Sequence, residues 1–213
     1  MGSLSYQFDQ TQQYCYDTTL LGTFSENHDV ARFGSYTSDV SQRKNALTFD
    51  FFTDGIPIVY YGAEQGLDGE NDPQNRGALW LNPTGYDTTA VLYQHIKTMN
   101  TARNAVNNYM IATNYSNWSP YWAYKASVIK QADDVLVFRK GLVHSIVTAI
   151  TNVGTEGATV GPYYIEDTNF SEGNLLIEIL SCNSTVAGVG GAFTLTLTSG
   201  EPQVCLYSFN AYA

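Results

Sequence analysis

The spacing of apolar and polar positions changes character partway along the chain. Residues 18–24 (TTLLGTF) form a short apolar, β-branched run, the pattern of a strand buried on both faces. A polar stretch follows, and residues 39–53 then place Ala46, Leu47, Phe49, Phe51 and Phe52 on a broad helical face. Ser38 or Asp39 stands where a cap is needed, and Gly55 follows as a stop. Residues 56–61 (IPIVYY) predict a second buried strand. A long loop rich in Gly, Asn, Asp and Pro covers 62–87. Residues 89–104 predict a second helix, with Leu92, Ile96 and Met99 on one side and Arg103 near its end. The order strand-helix-strand-helix makes two β/α units, whereas a closed (β/α) barrel needs eight and about 250 residues.

From about residue 121 the rhythm becomes short strands separated by turns. Strands are predicted at 135–139, 143–150, 159–165, 175–180, 192–198 and 203–208. Phe193-Thr194-Leu195-Thr196-Leu197-Thr198 alternates cleanly. The expected fold class is therefore α/β followed by all-β, the second part an antiparallel β-sandwich. The expected domains are residues 1–108 and 109–213.

Charge narrows the range of partners. A formal net charge of -10 repels a phosphate backbone and an anionic lipid surface, so neither nucleic acid nor membrane is expected. No apolar run is long enough to span a bilayer, and residues 1–16 lack the basic and apolar regions of a signal peptide. The cysteines are Cys15, Cys182 and Cys205, an odd number with no CxxC spacing, so no zinc site is expected. Glycosylation sequons at Asn114, Asn117, Asn169 and Asn183 lean toward an extracellular setting, Asn82 being excluded by Pro83. The 16 tyrosines offer flat faces and hydroxyls suited to sugar rings, although Tyr also favours strands for reasons unrelated to ligands.

Chemistry in β/α folds gathers in the loops after the strands. The first such loop holds Glu26, Asn27, His28, Asp29 and Arg32; the second holds Glu64, Glu70, Asp72 and Arg76. Taken singly, each set is equally consistent with loop hydrogen bonding, and Asp72-Pro73 with a turn. Together they are more specific.

Three motifs in order carry a family resemblance. Phe24-Ser25-Glu26-Asn27-His28-Asp29 resembles the segment after the seventh barrel strand of α-amylases in glycoside hydrolase family 13. The run from Gly55 to Glu64 (GIPIVYYGAE) resembles the eighth-strand motif of that family. Asn71-Asp72-Pro73-Gln74-Asn75-Arg76 resembles the following loop in the fungal members. The resemblance implies a partial (β/α)8 barrel, strands and helices seven and eight, followed by the family's C-terminal β domain. It implies retaining endo-hydrolysis of α-1,4-glucosidic bonds in starch or related glucans and maltooligosaccharides, by an extracellular enzyme. Asp29 corresponds to the third catalytic acid, which stabilises the transition state. His28 corresponds to a residue binding the same sugar, and Asp72 and Arg76 to residues holding neighbouring glucose units.

The family's nucleophile and acid/base follow barrel strands four and five and are expected to be absent from this chain, as are its calcium ligands. No cofactor or metal is therefore expected here, and the chain alone is expected to be inactive. Retaining glycosidases need two carboxyls roughly 5 Å apart, and Glu26, Glu64 and Glu70 match neither role. Ser25 stands where the family often has Val. The implied disulfide partners of Cys15 and Cys182 lie outside the chain; Cys205 is matched to no family position, and whether it pairs with Cys182 is left to geometry. The alternative expectation is a non-catalytic carbohydrate-binding or interaction protein, in which Asp72, Arg76 and Trp80 hold glucan.

Overall fold

In the computed structural model, residues 1–83, 85–112, 119–142 and 145–208 are described. The sequons at Asn114 and Asn117, and the start of the strand expected at 143–150, lie outside them.

The first element, helix α1 (Gly2–Tyr14), was not anticipated, because its sequence is mostly polar and it buries only Ser5 and Phe8. Residues 18–24 do not form one strand. Asp17 accepts hydrogen bonds from the Thr19 N–H (2.9 Å) and hydroxyl (2.7 Å), which winds Thr18–Leu20 into a 3-10 turn. Only β1 (Gly22–Thr23) remains extended. A one-turn helix, α2 (Phe33–Tyr36), interrupts the expected polar loop. Helix α3 (Val40–Phe52) starts where expected, its first N–H groups capped by Asp39. Strand β2 is confined to Ile56–Pro57; Pro57 has no N–H to donate, and the chain turns at Tyr60–Ala63. Helix α4 (Val91–Ala112) runs past the expected end, and Arg103, mid-helix, donates to the Phe51 carbonyl.

Strands β1 and β2 pair in parallel, Gly22 opposite Ile56 and Thr23 opposite Pro57. Among the described residues they pair with no other strand. The expectation of burial on both faces is corrected accordingly: Phe24, Ile56 and Ile58 are 44%, 60% and 49% exposed. An apolar run is buried only when other layers cover it.

The second part is a six-stranded antiparallel sheet packed on a two-stranded one. Its strands are β3 (Ser127–Gln131), β4 (Val135–Lys140), β5 (Ile146–Thr151), β6 (Val160–Ile165), β7 (Leu175–Glu178), β8 (Ser184–Val186), β9 (Phe193–Leu197) and β10 (Gln203–Tyr207). The large sheet has the order β3-β4-β5-β10-β7-β8, and β6 pairs with β9. Along β4 the side chains alternate between two cores. Val135 and Val137 face the β6–β9 layer, while Leu136 and Phe138 join Phe51, Phe52, Met99 and Val106 of the helices. The sheet is thus covered on both sides, by strands and by α3 and α4.

Polar contacts lock α3 to the β part. Asn45 donates to the Gly200 carbonyl (2.7 Å) and accepts from Thr151 N–H (2.8 Å), and Asp39 accepts from Thr155 N–H (2.7 Å). Asp54, just beyond α3, accepts from Ala126 N–H (2.6 Å) and Thr18 hydroxyl (2.6 Å). Cys15, Cys182 and Cys205 are free thiols; Cys205 lies in the second core, where burial pushes its thiol up to about 12, while Cys182 is exposed.

Candidate active site

Each loop that follows a strand of the parallel pair is held by the other. The Asn75 side-chain amide donates to the carbonyls of His28 and Val30, both at 2.9 Å. Arg32 N–H donates to the Gly69 carbonyl at 2.9 Å. Within the first loop, the Asn27 side chain accepts from the N–H groups of Asp29 (2.8 Å) and Val30 (3.1 Å). This Asx turn projects His28 and Asp29 outward.

All four residues expected to carry the site are connected. His28 Nε2 lies 3.3 Å from Asp29 Oδ1, with the two side chains 60% and 69% exposed. Arg76 Nε donates to the His28 carbonyl at 3.3 Å. Arg76 also meets Asp72 at 3.4 Å across a 3-10 turn, Gln74–Arg76. Such exposed pairs add little to stability. They leave a continuous row of charged and polar groups facing water. Trp80, 74% exposed, stands on the next turn, Leu79–Leu81.

Beneath this row lies a residue to which the sequence alone assigned no role. Arg32 is completely buried and joins both loops to the second strand segment. Its NH1 donates to Glu26 Oε1 (3.2 Å) and the Tyr61 carbonyl (2.8 Å), and its Nε donates to the Asn75 carbonyl (2.8 Å). Its guanidinium also lies over the rings of Tyr60 (4.3 Å) and Tyr61 (4.9 Å). The other oxygen of Glu26 accepts from Phe33 N–H at 2.7 Å. Glu26 is therefore committed to holding the loop. Glu64 accepts from Gly62 N–H at 2.8 Å, and Glu70 is exposed in the second loop. The only sequence signal for the Arg32 hub was the presence of a Glu and an Arg in one short loop.

Among the described residues, no group of three or more His, Cys, Asp or Glu side chains is placed to hold a metal ion. No helix among the described residues is long and apolar enough to cross a membrane.

Comparison with known proteins yields consistent matches along the chain. The family "Alpha amylase, catalytic domain" matches residues 1–131, and "Alpha-amylase, domain C" matches residues 128–211. Alpha-amylase 1 of Schwanniomyces occidentalis is 40% identical over 202 residues, 94% of this chain and 37% of that protein. The alpha-amylase of Saccharomycopsis fibuligera is 39% identical over 201 residues, again 94% of this chain and 37% of the relative. Among solved structures, an alpha-amylase from Malbranchea cinnamomea superposes with a TM-score of 0.84 at 38% identity, covering 97% of this chain and 41% of its own. The chain thus spans 37% of the length of these two curated relatives.

Proposed function

Since the chain belongs to the alpha-amylase family, we propose that its two loops form one side of an α-glucan cleft serving retaining endo-hydrolysis of α-1,4-glucosidic bonds. The observation that carries this reading is the connected, exposed row Asp29, His28, Arg76 and Asp72. In the proposed roles, Asp29 accepts hydroxyls of the distorted sugar and stabilises the transition state, since contacts that tighten there accelerate the reaction. His28 binds the same ring. Asp72 and Arg76 hold the adjacent glucose units. The exposed sequon at Asn183 supports an extracellular setting.

We further propose that this chain by itself holds glucan without cleaving it. Retention needs a nucleophile and a second carboxyl, and Glu26, the other acid of the Asp29 loop, is sealed by Arg32 and Phe33. Calorimetric titration of the chain with maltotriose, alongside reducing-end release from soluble starch, tests both statements. Binding that weakens about tenfold in Asp29→Asn and Arg76→Ala is expected, with no release of reducing ends. Release that depends on Asp29 would contradict the second statement, and equal binding by both variants would contradict the first.

A further inference from the structure

We propose that Asp50 is a positioning residue for the sugar loop: from helix α3 its carboxylate holds the backbone N–H of Ser25 and so sets the root from which Asn27, His28 and Asp29 project. This inference rests on the glucan-cleft reading for its functional consequence, though not for its geometry.

The last ladder bond of β1 is the one that Thr23 accepts from Ile58 N–H, at 2.8 Å. Ser25 lies just past it, and its N–H is taken by Asp50 Oδ2 at 2.8 Å. The next residue, Glu26, is locked by Arg32, and Asn27 begins the Asx turn. The loop therefore has an anchor at its root, Asp50, in addition to Arg32 and Asn75 beneath it. Asp50 is a firm anchor because α3 is tied to the β part at Asp39 and Asn45. Ser25 is also where this chain departs from the Val common in the family.

Asp50 is 5% exposed and lines a cavity of about 430 Å³ with Phe24, Phe33, Phe49 and Ile150. Burial pushes its carboxyl up to about 7, with the Glu26 carboxylate adding to the rise. Around it the charged groups are Glu26, paired with Arg32, and the Met1 ammonium, which donates to the Asp133 carbonyl. The cavity's other polar side chains, those of Gln42, Asn45, Thr151 and Asn152 among them, are uncharged. A charged acceptor holds an N–H more tightly than a neutral acid does. The loop root is therefore gripped harder as Asp50 ionises.

The test is amide NMR of the full chain from pH 5 to 9, with maltotriose titrations at pH 6 and 8. His28 belongs to the loop whose amides are read, so the pH series is run in a His28→Asn background, with and without Asp50→Asn. The amides of residues 25–29 should titrate with the midpoint of the Asp50 carboxyl carbon. Asp50→Asn should abolish that titration while the amides of β9 stay unchanged. With His28 intact, the maltotriose affinity ratio between pH 8 and pH 6 should differ about three- to tenfold between wild type and Asp50→Asn. Loop amides that ignore the Asp50 titration, or that titrate identically in Asp50→Asn, would overturn the proposal. A loop that follows Asp50 in a protein that binds no maltotriose at either pH supports the positioning role and refutes the glucan reading instead.

Discussion

Strand β5 and the apolar segment 56–58, which carries β2, both present isoleucines and end in opposite surroundings. Ile146, Val147 and Ile150 are 1%, 1% and 2% exposed, whereas Ile56 and Ile58 are 60% and 49% exposed. The first group has strands on both sides and a layer on each face. The second has one neighbour strand among the described residues. Burial follows from the layers around a strand, not from its own hydrophobicity. The candidate chemistry sits on the less covered side, where little sheet pairing is available to hold loops in place. There the work passes to side chains that bond main-chain carbonyls, Asn75 and Arg32 above all.

That division of labour can be broken most forcefully at Arg32. Arg32→Leu leaves Glu26 buried without its partner, and loss of about 3–5 kcal/mol is expected. Denaturant unfolding measures the loss. Hydrogen exchange should show it concentrated in residues 26–33 and 69–76; a uniform loss across the β sheet would mean that the hub is not local to the loops.

Paired truncations sharpen the contrast. Phe138→Ala empties the core shared by sheet and helices and should cost about 3–5 kcal/mol. Ile56→Ala on the exposed pair should cost about 1 kcal/mol or less, because more than half of its surface stays in water. Equal losses in denaturant unfolding would remove the distinction between the two regions.

Two buried groups on the helices between these regions predict a specific pH response. Asp50 keeps its proton up to about pH 7 when folded but only to about 3.8 when unfolded, so stability falls as pH rises between those values. Burial pushes His95, whose Nε2 lies 2.9 Å from the Thr48 hydroxyl, down to about 4 from 6.5. Unfolding in that window therefore takes up a proton at His95, and stability rises with pH. Between about pH 4 and 6.5 the two contributions oppose and the wild-type profile should be nearly flat. His95→Gln should leave the Asp50 slope alone, a decline of up to about 1.4 kcal/mol per pH unit, and Asp50→Asn should leave the opposite slope. Denaturant unfolding across pH checks all three profiles. Parallel profiles would show that these groups do not titrate as their burial implies.

The smallest effect expected is chemical. A thiol reagent should modify exposed Cys182 in the native protein and spare Cys205, which becomes reactive only on unfolding. Rapid native modification of Cys205 would indicate an open second core.

The features legible in the sequence were those whose cause is local. Helix α3 was readable because Asp39 caps it and its apolar positions repeat at helical spacing. Strands β4 and β5 were readable as apolar runs, and β9 by its alternation. Edge strands were not: β3 carries Lys130 and Gln131, and all of β8 is exposed, so neither shows an apolar pattern. The polar helix α1 was hidden for the same reason. At Thr18–Leu20 the apolar run predicted a strand, but the Asp17 hydrogen bonds prevailed. His28, Asp29, Asp72 and Arg76 could be picked out from short motifs. The buried bonds of Arg32 and Asp50 could not, because their partners come from residues 6 to 43 positions away along the chain.

The central claim, that Asp29, His28, Arg76 and Asp72 form one glucan-binding surface, is tested most directly by amide chemical-shift mapping of the intact chain with maltotriose. The account predicts saturable shifts confined to residues 27–29 and 72–76, whose common midpoint moves to about tenfold higher sugar in Arg76→Ala. Shifts that fall on the β sandwich instead, or no shifts at saturating sugar, would contradict it.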